Sequence, residues 1–130
     1  MKPITILSWA VRGIAAAIML QSLFFKFSGA PESIYIFTTV GGEPWMRYAT
    51  GFAELVASIL LFVPGKQAYG ALLGLGVISG AIFFHLTQLG VVVQNDGGTL
   101  FIMACVVFVC CAIAAYLFRR QIPVVGAKLG

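Results

Sequence analysis

Few side chains in this chain can do acid–base or binding chemistry: eight lysines and arginines, four acids and one histidine among 130 residues. The stretch from Glu43 to Ser58 is the most informative. At 100° per residue, Glu43, Arg47, Gly51, Glu54 and Ser58 fall within an arc of about 80°, a polar stripe on an otherwise apolar helix. Glu54 lies about 10 Å further along that helix than Arg47. A second stripe, of Gly70, Gly74, Ala81, His85 and Gln88 within about 60°, puts the sole histidine on a face of small residues that admits close packing. Carboxyl and imidazole groups in such surroundings can hand protons on, so Glu54 and His85 are the candidate catalytic pair. Lys26 and Arg47 supply positive charge for an anionic group, a carbonyl oxygen or those same acids. With Glu43, Glu54, His85, Gln88 and Asp96 they make a candidate ligand-binding set.

Two readings of these residues compete. In one they are ion pairs and hydrogen bonds that hold helices together. In the other they line a polar cup for a small molecule, such as a quinone head group. Arg12 stands apart from the set and is expected to snorkel to lipid phosphates. Cys105, Cys110 and Cys111 lie in one apolar run without a C-x-x-C pair, so they read as buried small hydrophobes. One histidine and no clustered thiolates predict no metal or haem site.

The elements that must position these groups follow from composition. Apolar residues make up 61% of the chain and charged residues 9%, too few charges to wet the surface of a soluble domain of this size. The cysteines are too close together to staple a secreted scaffold. The net charge is +4 and the isoelectric point near 9.2, but the basic residues are dispersed, with no stripe to track nucleic-acid phosphates. The chain therefore reads as an all-α integral membrane protein in contact with the lipid bilayer.

Four segments, at about 4–27, 45–63, 69–90 and 98–118, are long and apolar enough to cross about 30 Å of hydrocarbon, making one antiparallel four-helix domain over residues 1–130. Turn residues separate them: Ser28 to Pro31, Gly41 to Pro44, Pro64 with Gly65, and Asn95 to Gly98. The apolar stretch between Gly29 and Gly42 is too short to cross and reads as a re-entrant piece or a cap. Four spans put both termini on one side. Lys2, Lys66, Arg119, Arg120 and Lys128 share that side with no acid, whereas Glu32, Glu43 and Asp96 lie opposite. Positive-inside loops place both termini in the cytoplasm, the membrane being the inner membrane if the source is bacterial. Of the glycine pairs Gly70/Gly74 and Gly76/Gly80, on different faces, one could pack within the bundle and the other between subunits of a homo-oligomer.

Four short motifs add a resemblance. Phe25-Lys26-Phe27-Ser28-Gly29, Glu43-Pro44-Trp45, Gly51-Phe52-Ala53-Glu54-Leu55 and Gly80-Ala81-Ile82-Phe83-Phe84-His85-Leu86 resemble, in order and spacing, the DoxX family of small four-helix membrane proteins. The resemblance runs from about Arg12 to Phe118 and implies roles for Arg12, Lys26, Glu54 and His85, which occupy positions where that family carries an arginine, a lysine, an acid and a histidine. It implies the fold, and less directly a quinone-linked oxidoreductase or an accessory subunit with a redox partner protein. Relatives that act as cargo receptors or assembly chaperones imply the rival role, a non-catalytic membrane partner. The glycine-rich tail of many family members is missing here. A small transporter is a third reading, one that would need the chain to oligomerise.

Overall fold

A computed structural model describes residues 2–92 and 97–122, and every regular element among them is helical. Helix α1 spans Pro3–Ser28, α2 Pro31–Thr39, α3 Trp45–Leu60, α4 Gln67–Phe84 and α5 Thr99–Leu117. A π-helical turn, His85–Leu89, continues α4, and a 3₁₀ turn, Arg119–Gln121, follows α5. The ends obey local chemistry. Pro3 and Pro31 open α1 and α2, where a proline loses no needed N–H. Gly29 closes α1 in the left-handed region at φ 72°, a conformation that a residue with a Cβ adopts only at a cost.

Three of these elements, α1, α4 with its π-turn (Gln67–Leu89) and α5, are long and apolar enough to cross a membrane. Helix α3 has 16 residues, about 24 Å at 1.5 Å per residue, and one of its faces is polar. It ends at Leu60 rather than near Val63, because the chain turns ahead of Pro64. The short segment expected between the first two spans is the nine-residue α2, packed against the ends of α1 and α3.

Side-chain contacts fix how the long helices lie. Arg12 meets Leu61 and Lys26 meets Arg47, so α1 and α3 run antiparallel. Gly74 faces Cys111 and His85 faces Phe101, so α4 and α5 do too. Arg12 beside Phe118 sets the same relation for α1 and α5, and the tight turn between α3 and α4 makes those an antiparallel hairpin. The result is a closed up-down-up-down bundle in which α1 and α4 each pack between α3 and α5. Both ends of the described chain lie at one end of it.

The bundle axis is filled by small side chains. Ala15, Ala57, Ala71, Val107, Cys111 and Ala114 are almost wholly buried, with Met19 and Leu61 the bulkiest. Backbones approach closely in consequence: a Cβ on Gly70 would lie 2.7 Å from the Leu61 nitrogen, and one on Gly74 would lie 2.8 Å from Cys111 Sγ. Gly70 and Gly74 are thus the pair inside the bundle, whereas Gly76 and Gly80 have open space where a Cβ would sit. Large apolar side chains such as Phe52, Ile59, Phe83, Ile102 and Val109 point outward, as expected of a surface in contact with lipid.

Candidate functional site

Arg47, Gly51, Glu54 and Ser58 are all buried along α3, so the polar stripe faces the bundle. Across from it, the last turns of α1 bring Ser22 and Lys26. The Lys26 ammonium lies 2.7 Å from Glu54 Oε1 and also donates to Ser22 Oγ. The side chains of this ion pair are 14% and 5% exposed. The ammonium thus meets Glu54 Oε1 directly, whereas the buried Ser58 Oγ has no hydrogen-bond partner among the described residues.

Two helical turns toward the end of the bundle, Arg47 holds Glu43 through both carboxylate oxygens, with Nε at 2.9 Å from Oε2 and Nη2 at 2.8 Å from Oε1. Glu43 precedes α3 rather than belonging to it, but the i,i+4 pairing survives across the start of the helix. Arg47 Nη1 donates to the main-chain carbonyl of Lys26, one of the last-turn carbonyls that α1 cannot satisfy itself. The guanidinium also lies 4.5 Å from the Tyr48 ring centroid. Lys26, Glu43, Arg47 and Glu54 thus form one connected set in which two cations meet two acids.

His85 belongs to the end of α4, where it contacts the end of the π-turn and α5. It is buried at the start of the π-turn, its Nδ1 is 2.9 Å from the Gly90 carbonyl, and its ring meets Phe101 edge-on at 5.5 Å. A carbonyl only accepts, so Nδ1 carries the proton and Nε2 is the nitrogen left for other work. No hydrogen bond or ion pair joins His85 to Glu54 among the described residues. Gln88 corrects the second stripe: it is exposed, because the π-turn takes an extra residue per turn and rotates the chain beyond His85 off the helical phase. Asp96 lies outside the described residues.

Arg12 is a second correction. It does not snorkel: at 4% exposure it is among the most buried polar residues, donating from Nε to the Ser8 carbonyl at 3.1 Å and from Nη1 to the Leu61 carbonyl at 3.0 Å. Its Cζ lies 4.2, 5.4 and 5.1 Å from the ring centroids of Trp9, Phe62 and Phe118. Sequence reasoning missed this box because its four parts come from three helix ends. The one available signal was an arginine two turns into an apolar span, further than a snorkelling side chain comfortably reaches.

Cys110 and Cys111 are buried, Cys105 is half-buried, and all three are free thiols. Fold and polar core together define an all-helical integral membrane protein with charged groups inside its bundle. Set against protein-family models, curated proteins and solved structures, the chain matches none.

Proposed function

We propose that α3 is a fourth span, short because its inner face is polar, and that the chain is a DoxX-like inner-membrane protein with both termini in the cytoplasm. The charge distribution supports that orientation: Lys2, Lys66, Arg119 and Arg120 lie at the bundle end where the described chain begins and stops, and no acid among the described residues belongs to it. The functional reading is a quinone-linked, redox-associated accessory subunit whose polar site lies between α1 and α3. The observation that carries it is the buried Lys26–Glu54 pair, beside which the buried Ser58 Oγ lacks a hydrogen-bond partner among the described residues. A buried polar atom left unpaired costs about 1–3 kcal/mol, which a bound group can relieve.

These residues fit a quinone head group. Its carbonyl oxygens accept hydrogen bonds, and the Lys26 ammonium and the Ser58 hydroxyl are the donors to hold one. A bound quinone would supply two-electron redox chemistry, with electrons from a partner protein. Glu54 would hold or release a proton beside it. Arg47 is not needed as a ligand, since its charge is met by Glu43, and it serves as the brace that keeps Lys26 in place. His85, apart from the pair, would act at the same end of the bundle rather than directly on Glu54.

One observation favours the rival reading of a non-catalytic membrane partner. The charges of Lys26, Glu43, Arg47 and Glu54 cancel within the set, as they would in a purely structural lock. Native mass spectrometry of the detergent-released protein with decylubiquinone decides between them. The quinone reading expects an adduct of quinone mass that Glu54→Gln and Ser58→Ala weaken and Glu32→Gln keeps. No adduct, or one indifferent to Ser58→Ala in folded protein, overturns it in favour of the partner role.

A further inference from the structure

The two arginines that join α1 to α3 do the same mechanical job at opposite ends of the bundle. Each donates to an unsatisfied carbonyl at the C-terminal end of the neighbouring helix, Arg47 to Lys26 and Arg12 to Leu61. They differ in their counter-ions. Arg47 has Glu43, whereas Arg12 has no carboxylate partner among the described residues. The four acids of the sequence are Glu32, Glu43, Glu54 and Asp96, and none lies in the segments surrounding Arg12, namely the first half of α1, the turn between α3 and α4, and the end of α5. A guanidinium that is 4% exposed and lacks an anion is costly at membrane depth, and aromatic faces offset only part of that cost.

Arg12 also lines a cavity of about 420 Å³ together with Thr5, Ser8, Trp9, Phe62 and Phe118. A guanidinium has five N–H donors. The Ser8 and Leu61 carbonyls use two, which leaves three without a partner among the described residues. The cavity thus has a buried cation with spare donors, two hydroxyl-bearing residues and apolar walls.

We propose that this cavity binds the phosphate of an acidic phospholipid, the oxyanion on Arg12 and the glycerol and first acyl carbons along Trp9 and Phe62. Planar, forked donors suit a phosphate's paired oxygens. Trp9 and Ile4 are more than half exposed and continue into the lipid-facing surface of α1, so a ligand with an apolar tail can enter sideways from the bilayer. A free inorganic anion would gain nothing from those walls. The headgroup is acidic rather than zwitterionic for two reasons. A choline or ethanolamine would need a carboxylate or a vacant ring face, and the Trp9, Phe62 and Phe118 faces are turned to the guanidinium. Lys2 and Lys66 moreover lie exposed at the same end of the bundle, where they repel a second cation. The site is separate from the Lys26–Glu54 pair and does not depend on its role.

Trp9 and Trp45 are the only tryptophans, so the Trp45→Phe protein reports on the cavity through Trp9 fluorescence. In a neutral maltoside detergent it is titrated with dihexanoyl phosphatidylglycerol, dihexanoyl phosphatidylcholine or sodium phosphate. The expected result is saturable binding of phosphatidylglycerol, at least about tenfold tighter than phosphatidylcholine, with no saturable response to phosphate. Arg12→Gln should abolish it. If that variant does not fold, Thr5→Phe, which fills the cavity and keeps Arg12 and its carbonyl contacts, should abolish it instead. Equal affinity for the two lipids overturns the proposal, as does a phosphate response matching that of phosphatidylglycerol, which would mark a free-anion site. Unchanged binding in folded Thr5→Phe overturns it too.

Discussion

Removing one charge from the Lys26–Glu54 pair should cost far more than removing both. In Glu54→Gln the ammonium stays where it is, 14% exposed, with the Ser22 hydroxyl and a neutral amide for company. Breaking a buried pair in this way costs about 3–5 kcal/mol, and because Lys26 retains some contact with its surroundings the expected loss is near 3 kcal/mol. Lys26→Met leaves the opposite problem, a carboxylate 5% exposed with no cation, and should cost a similar amount. In the double variant Lys26→Met/Glu54→Leu neither charge remains to be desolvated, and apolar side chains of similar length fill the space. Its stability should lie within about 1 kcal/mol of the parent protein, so the coupling energy of the cycle comes to several kcal/mol. The assay is reversible unfolding in mixed micelles of rising dodecyl sulfate content, followed by helical circular dichroism. A coupling below about 0.5 kcal/mol, with the double variant as damaged as the two single losses added, would refute the pairing and the burial on which it rests.

The remaining expectations test packing and protonation. Gly70→Ala should destabilise by about 1–3 kcal/mol, because the new Cβ would press on the α3 backbone, whereas Gly76→Ala, with open space around it, should change stability by less than about 0.5 kcal/mol; equal effects in the same unfolding assay would contradict the register of α3 on α4. A membrane-permeant maleimide should label half-buried Cys105 well before Cys111, which is 0% exposed and should react only on unfolding; peptide mapping that found Cys111 labelled first would displace it from the core. Nitrogen-15 spectra of the neutral His85 ring should show the proton on Nδ1, bonded to the Gly90 carbonyl; a proton on Nε2 would remove that contact.

Most of the architecture could be read from hydropathy, because an apolar helix in a bilayer satisfies its own backbone and little else sets its length. The spans expected at 4–27, 69–90 and 98–118 correspond to Pro3–Ser28, Gln67–Leu89 and Thr99–Leu117. The α3 stripe was equally legible, since one helix and its angular phase fix which residues share a face. Partner choice was not. Helix α3 packs against both α1 and α4, so the stripe alone does not say whether Glu54 meets Lys26 or His85, and the ion pair formed is with Lys26 of α1. The π-turn that exposes Gln88 breaks the 100° rule used to place it, and nothing in the residues His85 to Leu89 announces it.

Arg12 was misread because its burial depends on a register that only the assembled bundle supplies. In the antiparallel α1–α3 pair, Arg12 reaches the end of α3 just as Arg47 reaches the end of α1. The positive charge of an arginine is favourable at the C-terminal end of a helix, where carbonyls are unsatisfied, so the two contacts brace both ends of one helix pair. The ends are nevertheless unequal. At one, Glu43 and Glu54 balance the charges of Arg47 and Lys26. At the other, Arg12 is met only by carbonyls and ring faces and opens onto a cavity. Conditions that alter the supply of anions, such as the acidic-lipid content of the bilayer, should therefore act on the bundle through the Arg12 end and leave the Lys26–Glu54 end largely unmoved. A protein whose stability rises with acidic lipid in the parent and in Lys26→Met/Glu54→Leu, but not in Thr5→Phe, would have that division of labour.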